Sequence, residues 1–137
     1  MRGILKEMDL KESTSNVDYN GWKLLPMISK DLQATNLSTL LEHALDTSRQ
    51  FTTGGVVFLC MDSPVLPLDD IVAGLLLSPN NKQALLCPAD DGGYGMLCVP
   101  PHAESSKIFS RIQWSHSLTA VSQIKALTDQ NIMVGIG

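Results

Sequence analysis

Asp62 stands where an apolar run ends. Val56 to Met61 is continuously apolar, β-branched at its start and preceded by Gly54-Gly55, and Pro64 forbids a β-ladder from continuing past the acid. Such a run reads as a strand buried on both faces, as in a parallel sheet covered by helices. In open α/β sheets ligands gather beyond the carboxyl ends of the strands, so Asp62 is delivered to an edge where chemistry is done. Two roles suit an acid there. It can cap the next helix as a turn residue, or it can hold Mg²⁺ against nucleotide phosphates, because that ion takes only one or two carboxylates plus phosphate oxygens. A phosphatase-like nucleophile lacks its usual second acid, since Pro64 occupies the place two residues on. Ser63 is in no Gly-x-Ser-x-Gly elbow, so hydrolase chemistry has no support.

A second acidic cluster, Asp90-Asp91-Gly92-Gly93-Tyr94, falls between two further apolar runs. Two glycines let a backbone approach a ligand closely, and the acids would lie at another strand edge. The same residues make an ordinary hairpin turn, for which Asp-Gly is the strongest short signal. If the two strands are neighbours, Asp91 and Asp62 converge. Trp114-Ser115 offers a large amphipathic ring and a hydroxyl beside a helix start, and equally a core tryptophan with a capping serine. His43, His102 and His116 have no spaced partner, which argues against metal ligation by histidine. No Gly-x-x-x-x-Gly-Lys-[Ser/Thr] or Gly-x-Gly-x-x-Gly occurs.

The elements that must position these residues follow from periodicity. Residues 1–20 are polar and weakly patterned, a flexible N-terminal segment, and 21–137 read as a single α/β domain. Trp22, Leu24, Leu25 and Met27 form a short apolar segment expected to dock on that domain, and Pro26 argues against a central strand. Leu37, Leu40, Leu41, Ala44 and Leu45 make one helical stripe, with Asp31 or Thr35 as the expected cap. Pro67, Asp69 and Asp70 begin a helix whose Ile71–Leu77 stretch is apolar all round, so burial is expected. Ala84–Cys87 and Gly95–Val99 are short strands. A helix is expected around Ser106–Ile112, and another from a Ser115 or Ser117 cap to about Thr128, with Leu118, Val121, Ile124 and Leu127 inward. Ile132–Ile136 is the last strand. Strands alternating with helices give a layered α/β domain.

Composition closes off other classes. The chain has 137 residues, 44% hydrophobic and 18% charged, with a net charge of −4 and no cluster of Lys or Arg. A nucleic-acid binder held by phosphate contacts is therefore not expected. The apolar runs are too short to span a bilayer, and residues 1–9, where charge alternates with apolar residues, give no reason to expect a secretory signal. Cys60, Cys87 and Cys98 are odd in number, lack Cys-x-x-Cys spacing and sit in apolar runs, which reads as reduced core thiols of a cytoplasmic protein.

Four stretches occur in a meaningful order. They are Lys30-Asp31-Leu32 entering a long helix, Phe58 to Pro67 with Asp62-Ser63-Pro64 inside it, Cys87 to Tyr94 with Asp91-Gly92-Gly93, and Ile108 to Ser115. The series resembles a bacterial family of A-type glycosyltransferase-like proteins of largely unknown function. That family is similar in fold to the guanylyltransferases that make molybdopterin guanine dinucleotide and activate phospholactate. The likeness spans about Leu24 to Ile132, and its motifs are specific only in combination.

The resemblance implies a three-layer α/β fold, a mostly parallel sheet flanked by helices as in nucleotide-diphospho-sugar transferases. It implies Asp62 and Asp91 as catalytic acids holding Mg²⁺ or Mn²⁺, with Ser63 and Pro64 beside the substrate. Asp91, Gly92, Gly93 and Tyr94 would line the acceptor or pyrophosphate side, and Trp114 with Ser115 the far wall. The bound partner would be a nucleotide or nucleotide-sugar, and the reaction a displacement at phosphorus or an anomeric carbon. Several family features differ. The first strand and its basic Pro-Gly-x-x-Lys-Thr-Arg loop have no counterpart before Lys30, and Cys87, Gly95 and His116 replace a glycine, an aromatic and a threonine. A sheet without that first strand would expose an edge, favouring a homo-oligomer or a non-catalytic paralogue that works through protein contact.

Overall fold

The computed structural model describes residues 17–19, 22–24, 36–60, 68–76 and 82–137. The chain divides into two units at Thr35/Asn36. In the first, β1 (Val17–Tyr19) and β2 (Trp22–Leu24) form an antiparallel pair, with Tyr19 opposite Trp22. Lys30, Asp31, Leu32 and Thr35 lie outside the described residues, as do Asp62, Ser63 and Pro64.

The second unit is α1 (Leu37–Ser48), β3 (Val56–Leu59), α2 (Leu68–Leu75), β4 (Gln83–Pro88), β5 (Tyr94–Val99), α3 (Ser105–Ile108), α4 (Thr119–Thr128) and β6 (Met133–Ile136). Asn36, rather than Asp31 or Thr35, caps α1: its extended backbone turns the side chain to accept the Thr39 N–H at 3.0 Å. Sheet order is β3-β5-β4-β6. Three of the four strands run the same way. The reversed one is β5, which follows β4 through the Asp91-Gly92-Gly93 turn, so two pairings are antiparallel and only β4 with β6 is parallel.

Alternation along the strands sorts the side chains onto two faces. Val56, Phe58, Ala84, Leu86, Leu97 and Val99 face one core, where Leu45, Ile108, Phe109, Ala120 and Leu127 close over them. Phe58 and Phe109 meet edge to face at 5.7 Å. On the opposite face α2 packs through Gly74, where an added Cβ would lie only 3.0 Å from Cys98 Cβ and Sγ. The Cys98 thiol donates to the Gly74 carbonyl at 3.3 Å.

Burial and helix ends both depart from expectation. In the run Val56–Leu59 the first three residues are half-buried and Leu59 is exposed, rather than all enclosed, and β3 ladders to β5 alone among the described residues. Helix α2 is not sunk in the core: its Leu68 and Val72, and Leu76 just after it, are 64%, 54% and 78% exposed, because the side that meets the sheet is the glycine side. In α4, Leu118 and Val121 face solvent, and Thr119, Ala120, Gln123 and Leu127 are the buried set. Neither Ser115 nor Ser117 caps that helix, whose N-cap residue is Leu118. Finally, α3 ends at Ile108, and Arg111 takes a left-handed φ of 59° where a longer helix was expected.

Cys98 is buried and Cys87 half-buried, but Cys60 is exposed and is not a core thiol. Burial pushes the Cys98 thiol up to about 11 from 9.0. Burial, then the hydrogen bond and charge of Asp70, push Cys87 up to about 11. Its Sγ donates to Asp70 Oδ2 at 3.4 Å. Both thiols hold their protons more tightly folded than unfolded. Their contribution to stability is therefore complete below about pH 9 and is lost as pH rises toward about 11. Denaturation midpoints measured from about pH 8 to about pH 11 should fall across that window, and less steeply in Cys98→Ala.

Among the described residues no helix is long and apolar enough to cross a membrane.

Candidate active-site cleft

One edge of the sheet gathers the carboxyl ends of β3 and β4 and the turn between β4 and β5. Cys60, the residue after β3, donates its N–H to the Gly95 carbonyl at 2.9 Å, so the β3 exit lies against the start of β5. A cleft of about 600 Å³ opens there, between Leu59 and Cys60, the Asp91–Gly95 turn, Leu37 and Leu41 of α1, and the Trp114–Thr119 loop.

The turn is a hairpin. Ala89 N–H reaches the Gly93 carbonyl at 2.8 Å, and Gly92 N–H the Ala89 carbonyl at 3.1 Å. Asp91 is exposed, and its Oδ1 accepts the Gly93 N–H at 2.9 Å, an Asx turn that commits one carboxylate oxygen. Gly93 and Asp91 line the cleft, whereas Gly92 is not among its lining residues. With φ +89° it turns its bare Cα to Ser117, where an added Cβ would be 2.0 Å from the carbonyl oxygen. Its own carbonyl accepts the Ala120 N–H at 2.8 Å. The second glycine-dependent approach is therefore to α4, and the turn and the start of that helix are one assembly.

Tyr94 supplies a wall rather than a proton. Its hydroxyl donates to Gln123 Oε1 at 3.1 Å, while Gln123 Nε2 donates to the Ile108 carbonyl at 2.7 Å. Burial holds the phenol in its protonated form, well above its ordinary range. Gln123 is fully buried, and these two bonds are what let a polar side chain take an inward place on α4. Trp114 lies 6.5 Å from Tyr94, tilted by 57°. Its indole N–H donates to Ser38 Oγ at 2.7 Å, which ties the loop to α1. Ser115 lines the cleft in a left-handed conformation, φ 55°, uncommon for a residue with a side chain.

Of the residues expected at a site, the structure brings Asp91, Gly93, Tyr94, Trp114 and Ser115 to one cleft. Leu37, Leu41, Phe58 and His116 also line it, and sequence periodicity marks the first three only as core. His116 carries no spacing signal at all. Among the described residues no three His, Cys, Asp or Glu side chains form a metal-binding group. Asp91 with one further carboxylate still matches what Mg²⁺ or Mn²⁺ needs when phosphate oxygens complete the shell.

A family model described as "Uncharacterized protein conserved in bacteria (DUF2064)" matches residues 16–116. No curated protein matches the sequence. Among solved structures, the chain is similar to a crystal structure described as that of a "putative nucleotide-diphospho-sugar transferase" from Desulfovibrio desulfuricans G20. Identity is 20% with a TM-score of 0.64, covering 77% of this chain and 45% of that one. The chain thus spans under half the length of this neighbour and shares its fold.

Proposed function

The chain belongs to this bacterial family, and on that premise we propose that it is a metal-dependent transferase using a nucleotide-linked donor, for glycosyl or nucleotidyl transfer. One observation carries the reading. The β3 exit at Cys60 and the Asp91 turn open into the same cleft, at the strand edge where open α/β sheets bind ligands. Asp62 follows Cys60 by two residues in the sequence. In this reading Asp62 and Asp91 hold Mg²⁺ or Mn²⁺, and the ion supplies neutralisation of a diphosphate leaving group. Ser63 and Pro64 flank the substrate. Gly93 and Tyr94 line the acceptor or pyrophosphate side, with Gly92 keeping that turn on α4, and Trp114 and Ser115 form the far wall. Tyr94 and Trp114 exclude water and orient, while Asp91 offers its uncommitted oxygen.

Calorimetry with the full chain tests this. The wild type should bind a nucleotide or nucleotide-sugar only with Mn²⁺ or Mg²⁺ present, and Asp62→Asn should abolish that binding while leaving the unfolding transition in place. A wild type that binds no nucleotide with Mn²⁺ ends the reading. A second reading, a non-catalytic protein acting through contact or self-association, draws on the exposed Leu68 and Val72 of α2 and Leu76 just after it. A strictly monomeric protein that binds metal and nucleotide would count against it.

A further inference from the structure

We propose that His116 is a ligand-binding residue of this cleft whose Nε2–H donates a hydrogen bond to an oxygen of an uncharged, hydroxyl-bearing ring. The proposal rests on the transferase reading and specifies what the described wall recognises.

His116 Nδ1 accepts the Leu118 N–H at 3.0 Å. A ring nitrogen that accepts carries no proton, so a neutral imidazole with that bond has its proton on Nε2. The residue is fixed at its backbone as well: its N–H goes to Thr119 Oγ1 at 3.2 Å, and its carbonyl accepts the Thr119 N–H at 3.1 Å. With Nδ1 spent on the start of α4, Nε2–H is the polar group the ring has left for the cleft it lines.

The same wall holds the complementary groups. The Tyr94–Trp114 pair gives aromatic surface beside it, 6.5 Å apart. An imidazole donor reads a hydroxyl oxygen, and aromatic faces cover the apolar side of a ring. Among the described residues the lining carries the Asp91 carboxylate and no lysine or arginine, which suits an uncharged sugar better than a diphosphate. That sugar is either the one carried by the nucleotide donor or a free acceptor.

His116→Asn separates the roles of the ring. An asparagine oxygen accepts the N–H two residues on as an Asx turn, so the loop is kept while Nε2–H is removed. Long-range nitrogen–proton NMR of the full chain should show the His116 proton on Nε2; a proton on Nδ1 overturns the proposal whatever binds. Calorimetry with Mn²⁺ then compares UDP-glucose and GDP-mannose with UDP and GDP, and with methyl glucoside and methyl mannoside. The variant should weaken the sugar-bearing probe about five- to tenfold, the worth of one neutral hydrogen bond, and leave the nucleoside diphosphate unchanged. Loss confined to sugar nucleotides identifies the donor sugar, and loss with the methyl glycosides identifies the acceptor. Equal weakening of the bare diphosphate, or no change in a wild type that binds, overturns the role of His116 and leaves the transferase reading standing. A wild type that binds none of the probes removes both.

Discussion

Replacing Gly92 with alanine should cost about 3–5 kcal/mol, a large share of the stability of a domain this size. Two effects add. The left-handed φ of +89° is one that L side chains rarely adopt, and the new Cβ would sit 2.0 Å from the Ser117 carbonyl oxygen and 2.5 Å from its carbon. Backbone cannot swing aside as a flexible side chain would. The turn and the start of α4 must separate, which also breaks the bond between Ala120 N–H and the Gly92 carbonyl. Chemical denaturation of Gly92→Ala should show the drop in midpoint, and hydrogen exchange should show the Ala120 amide losing protection. Gly93→Ala is the control: its Cβ meets only the Asp91 carboxylate, at 3.2 Å, and its φ is not left-handed. A Gly92→Ala protein as stable as Gly93→Ala would refute the claim that this turn is built for α4.

Phe109→Ala should cost about 3–5 kcal/mol by removing a fully buried ring from the core under the sheet. The effect should reach the cleft. Phe58 stacks edge to face on Phe109 and also lines the cleft, so the cavity left behind frees the Phe58 ring to turn inward. Phe109→Leu, which refills most of the volume, should recover the larger part of the loss. A denaturation midpoint for Phe109→Ala within error of wild type would contradict the packing described.

Local signals were sufficient for several features. The Val56–Leu59 run, the α1 stripe from Leu37 to Leu45 and the Asp-Gly hairpin each express a preference of neighbouring residues. The glycine turn read both as a hairpin and as a close-approach site, and only the structure separates the two: Gly93 faces the cleft, and Gly92 faces Ser117. Half of the inward face of α4 was legible, since Leu127 is in the core and Ile124 packs against it, but hydropathy ranks the exposed Leu118 and Val121 above the buried Gln123. Gln123 wins because Tyr94, 29 residues earlier, and the Ile108 carbonyl satisfy its amide.

By itself, then, the amino-acid order marked the four strands of the main sheet and the long helices, but not the strands Val17–Tyr19 and Trp22–Leu24 nor where α3 ends and α4 begins. Those choices depend on backbone conformation and side-chain period within a few residues. Tertiary structure decided which faces are buried, that β5 runs against its neighbours, and that Asp91, Tyr94, Trp114 and His116 share one cleft. Such partnerships join residues far apart in the chain. The energy that settles them, burial and hydrogen bonding between distant groups, has no local signature.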